Sequence, residues 1–534
     1  MPNSIRFRSL REDTLTAYLL GVDLGGTGAK AGVFTLEGRC VGSGYREYHM
    51  LSRLPGQAEH DAEGWWQATV SAIRSALCGI RPNDIFAVGV GCTNGLVAVD
   101  RHGCPLRPAI MLWDQRSLPE VAHIRATLGE DQVLAVTGNP VAPGAYALPT
   151  LLWLKHHEPD TYLAAHKLMA PGGYLVARLT GEFTIDYSRA CTTLLFDIRS
   201  HAWHLPFLEA LDIAPDKLPR PMPSQNVAGT ISAEAAAATG LAVGTPVIAG
   251  CMDTLGAALG AGVVEPGEGF IIMGTAARVA TAITEPRFDQ RLMHCTHLQP
   301  DRWLALGALN GVGSSLRWVR DHFGQLEQSV ASLTGMDVYD LLTAQAKLAP
   351  PASKGLIYLP YLAGERTPIW DPYARGVFFG VTLGHGRPEF LRAVLEGAAM
   401  AIRQAVELLE GTSDLRLRSL RLGGAAAASA VWVQIIADVL GKPVVSLARE
   451  HSEVLGAALL AGVGTGAYAN LAAALSAAST GDQVYEPEPT AHSAYNHLYP
   501  VYTELYPNLK PYFERIAHLD LPQVWVTQRG NYAN

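Results

Sequence analysis

The stretch VDLGGTGAKAGVF, residues 22–34, places a glycine-rich turn between two apolar segments of about strand length. In a P-loop or a dinucleotide-binding fold, the glycine-rich loop opens a helix and the phosphate lies at the N-terminus of that helix. Here the turn leads into a second strand-like run, and the GxxxxGK[ST] pattern does not occur in it. The stretch therefore predicts a β-hairpin.

This hairpin has two interpretations. Its backbone N–H groups and the Thr27 hydroxyl could wrap phosphate oxygens, with Lys30 adding positive charge and Asp23 holding Mg²⁺ through water. It could equally be an ordinary hairpin, in which glycine supplies positive φ and Asp23 accepts turn hydrogen bonds. For this segment taken alone, the ordinary hairpin is the simpler interpretation.

Two further glycine-rich turns occur later in the chain. IIMGTAARVATAI, residues 271–283, again has an apolar strand, a Gly-Thr turn and an apolar strand. Either the two hairpins are alike by chance, or the chain contains a duplicated unit whose copies face each other across a cleft. LGGAAAASAVWVQIIADVLG, residues 422–441, has its Gly-Gly turn between a strand and a helix. That turn could pass a nucleobase or ribose against bare backbone, or could serve close helix–strand packing.

The composition narrows the class of protein. The chain has 534 residues, 49% hydrophobic and 17% charged, as expected of a soluble globular protein with two or more domains. The net charge of −8 argues against a nucleic-acid-binding surface. No apolar run reaches about 18 residues, so we expect no membrane span. Residues 1–16 are polar and unlike a signal peptide, and we expect them to form a short lead-in.

The cysteines indicate the compartment. Seven are scattered along the chain without a CxxC pair, which favours buried, reduced thiols and a cytoplasmic protein. His294 and His297 flank Cys295, but no further ligand motif accompanies them. We expect a polar turn there and not a metal site.

Asp253 is a candidate catalytic carboxylate. It lies in CMDTLGAALGAG, directly after the predicted strand PVIAG, in an apolar setting rich in small residues. A lone buried carboxylate there costs on the order of several kcal/mol. As a general base it could take the proton of a hydroxyl that attacks phosphorus, and as a helix cap it could accept a backbone N–H. The two roles are compatible.

Ten motifs follow one another in a fixed order along the chain. They are GVDLGGTGAK, AEHDAEGWW, LWDQRS, LPTLLWLKHHEP, AGCMDTLGAALGAG, IMGTAARV, LNGVGSSLRWVRD, YLPYLAGERTPIWDPYARGVFFGV, FLRAVLEGAAMAIR and LGGAAAASAVWVQIIADVLGKPV. As an ordered set they resemble the FGGY carbohydrate kinases, the group that contains xylulokinase, glycerol kinase, gluconokinase and ribulokinase. The resemblance covers roughly residues 17–515 and is nearest to xylulokinase and related pentulose kinases.

The resemblance implies an α/β protein with an actin-like ATPase fold, in which two ribonuclease-H-like domains face each other across an ATP-binding cleft. Residues 17–264 would form the N-terminal FGGY domain, with the sugar site and the first phosphate loop. Residues 265–515 would form the C-terminal, nucleotide-binding FGGY domain. Residues 1–16 would be an N-terminal extension and residues 516–534 a C-terminal tail.

The resemblance also implies roles for individual residues. Asp253 would be the general base, and Asp23 would support Mg²⁺. The ATP-binding residues would be Gly25, Gly26, Thr27, Lys30, Gly274, Thr275, Gly313, Gly423, Gly424 and Ala427. The substrate-binding residues would be Thr93, Asn94, Trp113, Asp114, Arg116, Asp253 and Thr254.

The chain departs from the family pattern where the acceptor would bind. Asn94 and Thr93, in GCTNG, replace the usual His and Met of xylulokinases, and W-N-D-x-R reads L-W-D-Q-R here. Thr150 stands where many members have lysine, and Gly26 replaces a hydroxyl residue of the phosphate loop. Changes at acceptor-facing positions alter substrate choice. The prediction is therefore a polyol or ketose kinase whose sugar is open.

The implied activity is ATP- and Mg²⁺-dependent phosphorylation of the terminal hydroxyl of a small sugar, with a ketopentose as the first candidate. The alternatives are another polyol or a sugar acid (glycerol, erythritol, ribulose, gluconate), a non-catalytic sugar sensor, and an actin- or chaperone-like ATPase. We expect the sugar or polyol and ATP as partners, neither nucleic acid nor membrane, and a homodimer formed by the apolar C-terminal half.

The remaining charged residues of these motifs have structural interpretations. Glu59 and Asp61 could reach the sugar pocket, but we favour them as caps of the following helix. Glu365 and Arg366 could contact the substrate, but we favour an ion pair beside the site. Glu453 is expected to be a helix-start carboxylate.

Overall fold

The computed structural model describes residues 17–52, 54, 56–447, 452–478 and 482–519. The N-terminal extension expected at residues 1–16 and all but the first four residues of the expected C-terminal tail lie outside this part of the chain. The described strands are β1 (Tyr18–Leu24), β2 (Gly28–Thr35), β3 (Cys40–Glu47), β4 (Glu59–His60), β5 (Ile85–Cys92), β6 (Gly95–Val99), β7 (Ala109–Met111), β8 (Lys167–Met169), β9 (Thr184–Asp186), β10 (Phe196–Asp197), β11 (Ala202–Trp203), β12 (Arg220–Met222), β13 (Val227–Thr230), β14 (Pro246–Ile248), β15 (Cys251–Met252), β16 (Glu268–Met273), β17 (Ala277–Ile283), β18 (Met293–Thr296), β19 (Trp303–Leu309), β20 (Ile357–Leu359), β21 (Val377–Phe379), β22 (Ser419–Gly423), β23 (Val444–Ser446) and β24 (Gln483–Tyr485).

The helices cover the sheets that these strands form. They are α1 (Ala62–Ala76), α2 (Leu118–Leu128), α3 (Glu130–Thr137), α4 (Ala147–His157), α5 (Pro159–Ala164), α6 (Pro171–Thr180), α7 (Tyr187–Ala190), α8 (Leu205–Ala210), α9 (Ala233–Thr239), α10 (Asp253–Gly260), α11 (Val312–Phe323), α12 (Gln325–Thr334), α13 (Val338–Ala346), α14 (Arg387–Ser413), α15 (Ala430–Leu440), α16 (Ser452–Gly464), α17 (Leu471–Ala477) and α18 (Pro489–Ala517). Among the helices that the structure describes, none is both long and apolar enough to cross a membrane.

The first large sheet belongs to the N-terminal half and has the strand order β13-β14-β5-β1-β2-β3, with β15 also pairing with β5. β1, β2 and β3 form an antiparallel meander, and β5 runs parallel to β1. β1 and β5 are buried along most of their length, as their continuous apolar sequences require. The hairpin predicted for residues 22–34 is confirmed, with Asp23 opposite Lys30.

The second large sheet belongs to the C-terminal half and has the order β18-β19-β17-β16-β22-β23-β24. β16 and β17 form the second predicted hairpin, and β16 runs parallel to β22 just as β1 runs parallel to β5. The same arrangement, an antiparallel hairpin beside a parallel strand, therefore occurs in both halves. This similarity favours the duplicated unit over a chance likeness between two turns.

Two helices rich in small residues pack closely where the halves meet. α16, from late in the chain, lies against β1 and β5 of the first sheet and crosses α10. A Cβ atom on Gly456 of α16 would lie 1.8 Å from the carbonyl oxygen of Gly256 of α10, so both backbones approach as closely as glycine allows. α10 begins at Asp253, and this packing therefore fixes the helix that carries the candidate base.

The cysteines and the segment around Cys295 differ in part from expectation. All seven cysteines lie among the described residues and are free thiols, but Cys40, Cys78 and Cys104 are exposed rather than buried. The polar turn expected at His294–His297 is wrong, because residues 293–296 form the buried edge strand β18. The Asn139 side chain pairs with the backbone of His294 in both directions (2.8 and 2.9 Å), which satisfies this strand edge.

Candidate active site

Thr27 stands at the exposed tip of the first hairpin, between β1 and β2. A hydrogen bond of 3.0 Å from the Gly25 N–H to the Gly28 carbonyl closes the turn. Tyr48 holds the turn from the side: its N–H donates to the Thr27 carbonyl (3.1 Å), and its hydroxyl donates to the Gly25 carbonyl. The turn therefore has a fixed backbone and a free hydroxyl at its tip.

The glycines of this turn serve close approach. Of the two roles considered for them, positive φ is wrong, because Gly25, Gly26 and Gly28 are not among the residues with positive φ. A Cβ on Gly26 would lie 3.1 Å from the Trp113 ring, and a Cβ on Gly28 would lie 2.5 Å from the Tyr45 ring. Aromatic rings pack directly on the bare backbone, which side chains at these positions would prevent.

Asp23 is a buried carboxylate at the base of the first hairpin. It is only 4% exposed, and its Oδ1 has no hydrogen-bond partner among the described residues. Burial, and then the negative charges of Glu453 and Asp253, raise the pKa of Asp23 to about 7, although Lys30 opposes the shift. Such a group is stabilised by a cation, which agrees with the Mg²⁺ role implied by the resemblance.

Asp253 lies where the two halves of the molecule meet. Its Oδ1 accepts the N–H and the hydroxyl of Thr254 (2.6 and 3.0 Å), and its Oδ2 is 3.3 Å from Nη1 of Arg278. The residue that caps α10 is Met252, so the capping role considered for Asp253 is wrong and its carboxylate belongs to the first helical turn. Arg278 lies on β17, immediately after the second hairpin. Sequence reasoning missed it, because no local pattern pairs it with Asp253.

A buried ion pair supports the chain segment that enters Asp253. The guanidinium of Arg189 binds the Asp186 carboxylate and donates to the carbonyl of Cys251, and both side chains of the pair are fully buried. The hydroxyl of Ser188 accepts the Met252 N–H at 2.9 Å. Two consecutive residues before Asp253 are therefore held from one side. This cluster was also missed, and its only signal in the sequence is an Asp-x-x-Arg spacing in an otherwise buried segment.

The second hairpin is packed against two neighbouring turns. Gly274 and Thr275 are exposed at its tip, and the Thr275 carbonyl accepts the N–H of Ser314 (2.8 Å). A Cβ on Gly313 would lie 1.7 Å from the Gly274 carbonyl oxygen, and one on Gly424, where φ is +87°, would lie 2.6 Å from the Met273 carbonyl oxygen. The segments that contain Gly274, Gly313 and Gly424, all three predicted to bind nucleotide, therefore lie together. Gly423 ends β22, and Ala427 lies in the short 3₁₀ turn that follows. The Ala427 carbonyl accepts a hydrogen bond from the Ser446 hydroxyl (2.8 Å).

Gly313→Ala tests this packing. The added methyl group meets a backbone oxygen that no side-chain rotation can move, and overpacking of this kind typically costs about 1–3 kcal/mol. The exposed hairpin at Gly274 is the part that can shift. We therefore expect ATP binding to weaken by about tenfold or more, measured by titration calorimetry with the purified chain.

Gly411→Ala is the matched control for that variant. Gly411 lies in α14, its Cβ would meet nothing within 4 Å, and alanine is the better helix former by about 1 kcal/mol. Unchanged ATP affinity is expected for this control. Equal ATP affinity in the two variants would show that the Gly313–Gly274 contact does not shape the nucleotide site.

The acceptor-side residues lie at the end of β5 and beside the first hairpin. Thr93 is buried, and its N–H donates to the Leu24 carbonyl (2.9 Å), which joins it to the end of β1. Asn94 is half-buried and lines a small cavity together with Tyr146 and Thr150. Trp113 is 38% exposed above Gly26. Thr93 and Trp113 therefore contact the first hairpin, whose first strand carries Asp23.

Asp114 and Arg116 are engaged with the protein itself. Arg116 donates to both oxygens of Asp114 (2.9 and 2.8 Å), and Asp114 also accepts the Ala58 N–H at 2.6 Å. Arg116 further contacts Glu59 at 2.8 Å and stacks over the Trp153 ring at 4.8 Å. Direct contact of Asp114 or Arg116 with an acceptor stays a prediction. What the structure establishes is that they brace the loop that presents Trp113.

The structural interpretations of the other charged residues have mixed outcomes. Asp61 caps α1 by accepting the Glu63 N–H (3.0 Å), as expected. Glu59 does not cap that helix, because its carboxylate pairs with Arg107 and Arg116. Glu453 lies in the first turn of α16, as expected.

The ion pair expected between Glu365 and Arg366 is replaced by other contacts. The Glu365 carboxylate accepts the backbone N–H groups of Asn310 (2.6 Å) and Arg366 (2.8 Å). The Arg366 guanidinium donates to Oδ1 of Asn310 at 2.8 Å. Burial raises the pKa of Glu365 to about 7 despite these hydrogen bonds. The two side chains therefore converge on Asn310, at the end of β19, and not on each other.

Both halves of the chain match a known protein family. The model of the FGGY family of carbohydrate kinases, N-terminal domain, matches residues 18–260, and that of the C-terminal domain matches residues 269–465. Xylulose kinase of Escherichia coli is 31% identical over 497 residues, 92% of this chain and 99% of the relative. Gluconokinase of Bacillus subtilis is 31% identical over 454 residues, 85% of this chain and 88% of the relative.

The solved structures agree with the family models. Xylulose kinase from Rhodospirillum rubrum has 31% sequence identity and a TM-score of 0.83, covering 93% of this chain and 100% of the other. The ligand-bound xylulose kinase from Lactobacillus acidophilus has 26% identity and a TM-score of 0.85, covering 94% of this chain and 100% of the other.

The fold and the site define a two-domain sugar kinase of the actin-like ATPase type, as the resemblance implied. The chain belongs to the FGGY family of carbohydrate kinases. It is an enzyme that phosphorylates a sugar-type acceptor at the expense of ATP. The domain limits and the residue assignments given above stay predictions.

Proposed function

We propose that this kinase transfers the terminal phosphoryl group of ATP to the terminal hydroxyl of a small sugar, with a ketopentose as the first candidate. The position of Asp253 is the main support. The Asp253 carboxylate lies 3.3 Å from Arg278, which follows Thr275 of the second hairpin by three residues. The negative charge of Asp253 also acts on Asp23, beside the first hairpin. A carboxylate between the two hairpins can take the proton of a hydroxyl as that oxygen attacks the phosphorus.

The residues of the cleft fall into three groups by their proposed task. The phosphates are held by Gly25, Gly26, Thr27, Lys30, Gly274 and Thr275. The adenosine is held by Gly313, Gly423, Gly424 and Ala427. The acceptor is oriented by Thr93, Asn94, Trp113, Asp114, Arg116 and Thr254, with Asp253 as general base. Because water competes with the sugar hydroxyl, turnover requires the two halves to close on a bound acceptor.

Asp23 is the residue proposed to hold Mg²⁺. Its buried Oδ1 lacks a partner among the described residues, and two further carboxylates, Glu453 and Asp253, add negative charge nearby. Oxygen ligands of this kind suit a hard cation. When bound, Mg²⁺ supplies positive charge to the phosphate oxygens of ATP. Asp23 would be the protein ligand of that cation.

The proposed activity is tested by ADP release from ATP in the presence of single acceptors, namely pentuloses, alditols and aldonates. A ketopentose is expected to raise ADP release about tenfold or more above the rate without acceptor. EDTA in excess is expected to stop the reaction, and added Mg²⁺ to restore it. Failure of every acceptor to stimulate ADP release would contradict the proposal, and calorimetric sugar binding without turnover would identify a sensor instead.

A sugar acid is the second candidate acceptor. The gluconokinase of Bacillus subtilis is as similar to this chain as the xylulose kinase of Escherichia coli, each at 31% identity. Thr93 and Asn94 also depart from the xylulokinase pattern where the acceptor would lie. If aldonates stimulate ADP release and pentuloses do not, the ketopentose is excluded.

Three further features are proposed, namely the domain limits, the cellular compartment and the oligomeric state. The domain limits at residues 264 and 265 follow from the family resemblance. Location of the protein in the cytoplasm follows from the unpaired cysteines. A homodimer formed by the C-terminal half is supported by the exposed apolar residues at the end of β21, of which Phe379 is 46% and Val381 is 54% exposed. Sedimentation velocity of the purified chain distinguishes dimer from monomer.

A further inference from the structure

Arg278 is a cation beside Asp253 that the proposed function leaves without a role. It lies on β17, opposite Ile272 on one side and Ala308 on the other. Its side chain is 34% exposed, and its Nη1 is 3.3 Å from Oδ2 of Asp253. Asp253 is its one ion-pair partner among the described residues. The contact joins β17, the second strand of the second hairpin, to Asp253 of the N-terminal half.

The distances of the reaction place Arg278 near the transferred group. A hydroxyl poised for attack lies about 2.6–3.2 Å from its general base and about 3–3.5 Å from the phosphorus. Arg278 contacts that same base at 3.3 Å. The guanidinium, the base, the hydroxyl and the phosphorus are farthest apart when they lie on one line. The distance from the guanidinium to the phosphorus is then about 10 Å. A partly exposed arginine side chain can cover most of that distance by rotation.

The neighbouring cation is fixed, which leaves Arg278 as the one that can move. Arg366 is anchored through Nε to Oδ1 of Asn310 at 2.8 Å. Burial, and then the like charge of Arg278, lower the pKa of Arg366 to about 10. Each guanidinium therefore raises the free energy of the other. An incoming anion relieves this repulsion, and a planar guanidinium can give two parallel hydrogen bonds to phosphoryl oxygens.

We propose that Arg278 is a catalytic residue of phosphoryl transfer, whose guanidinium leaves Asp253 and donates to the oxygens of the transferred group once ATP and acceptor are bound. This proposal rests on the proposed function. In the step, the acceptor oxygen forms a bond to the terminal phosphorus of ATP while the bond from that phosphorus to the bridging oxygen breaks. ADP leaves with the electron pair of the broken bond, and the acceptor proton passes to Asp253.

The exchange of partners has a consequence for the base. While Arg278 contacts Asp253, the guanidinium occupies Oδ2 of the carboxylate. Once the guanidinium moves to the phosphoryl group, Asp253 is free to face the acceptor hydroxyl. One movement therefore supplies charge to the transition state and frees the base, which couples chemistry to an occupied site.

The test compares Arg278→Met, Arg278→Ala and Arg278→Lys with the unchanged chain, using an acceptor that the chain phosphorylates. We expect kcat to fall by about 10³-fold in the methionine variant, with little change in the KM for ATP or the KM for the acceptor. In the lysine variant kcat is expected to fall less. Added guanidinium ion is expected to restore part of the activity of the alanine variant. Arg287→Met is the control, because Arg287 is an exposed arginine of the same half that pairs with Glu285.

A binding measurement separates this role from a structural one. ADP with aluminium fluoride imitates the transferred phosphoryl group, and its affinity in the presence of acceptor is expected to fall in Arg278→Met while the ATP affinity stays the same. Unchanged kcat and unchanged affinity for ADP–aluminium fluoride would overturn the proposal. A rise in acceptor KM at constant kcat would overturn it too, and would assign Arg278 to acceptor binding.

Failure of the proposed function gives a different result. If the unchanged chain phosphorylates no acceptor, that function fails whatever Arg278 does. The slow hydrolysis of ATP, with water as acceptor, then provides the comparison between the arginine and methionine forms. Equal hydrolysis rates in the two forms would overturn the role of Arg278.

Discussion

Replacement of Asp253 by asparagine is expected to lower kcat by about 10²–10⁴-fold, the usual contribution of a general base. Asparagine has nearly the same shape, and its Oδ1 can still accept the Thr254 N–H that Asp253 accepts at 2.6 Å. The start of α10 should therefore be kept. ATP affinity is expected to remain the same or to increase, because the change removes a negative charge beside the phosphate hairpins. Coupled ADP release and titration calorimetry measure the two effects.

Asp321→Asn is the matched control, since Asp321 is an exposed aspartate whose contact is with the adjacent Arg320. Its kcat is expected to stay unchanged. If Asp253→Asn retains kcat within about threefold of the unchanged chain, Asp253 is not the base, because loss of a base costs far more. Loss of ATP binding together with activity would instead indicate that the cleft has collapsed.

The hairpins were predictable because their signals are local. Apolar runs of strand length around Gly, Thr and Asp residues specify strand, turn and strand without reference to the rest of the chain. The likeness of residues 22–34 and 271–283 offered a duplicated unit as one of two explanations, and both large sheets contain an antiparallel hairpin beside a parallel strand. The order of the motifs carried the family resemblance, and the resemblance added the cleft between two domains.

The missed contacts are those that join distant parts of the chain. Arg278 reaches Asp253 from a different half, and Arg189 reaches Cys251 across 62 positions of sequence. The expected turn at His294 is a strand because Asn139, 155 positions away, completes its hydrogen bonds. No local pattern encodes such partners, since each depends on how the finished sheets pack.

The glycines show the same limit. The sequence shows where glycine occurs but not which property of glycine is used. In the first hairpin positive φ was expected, yet the requirement is room for the rings of Tyr45 and Trp113. At Gly424 both properties apply, because φ is +87° and the Met273 carbonyl lies too close for a side chain. The role of a glycine follows from its neighbours in space.

Arg189→Met is expected to lower the free energy of unfolding by about 3–5 kcal/mol, because it leaves the buried Asp186 carboxylate without its partner. Both side chains of this pair are 0% exposed. Arg189 also donates to the Cys251 carbonyl, two residues before Asp253, so kcat should fall with stability. Urea unfolding followed by tryptophan fluorescence measures the first effect. Arg287→Met, which breaks an exposed pair, should change stability by less than about 1 kcal/mol.

A double variant decides whether the uncompensated charge is the cause. In Asp186→Asn with Arg189→Met, the asparagine oxygen can still accept the Ser188 hydroxyl and the backbone N–H of residue 189, both of which Asp186 accepts. The buried charge is then gone. Because removing both partners of a buried pair is far less costly than removing one, the double variant should recover at least about 2 kcal/mol of the loss. The stability losses of Asp186→Asn alone and Arg189→Met alone are measured for comparison. If the loss in the double variant equals their sum, the lost stability comes from packing or from the Cys251 hydrogen bond. A recovery of stability without recovery of kcat would show that Arg189 also positions the segment leading to Asp253, since the double variant restores charge balance but not the hydrogen bond to Cys251.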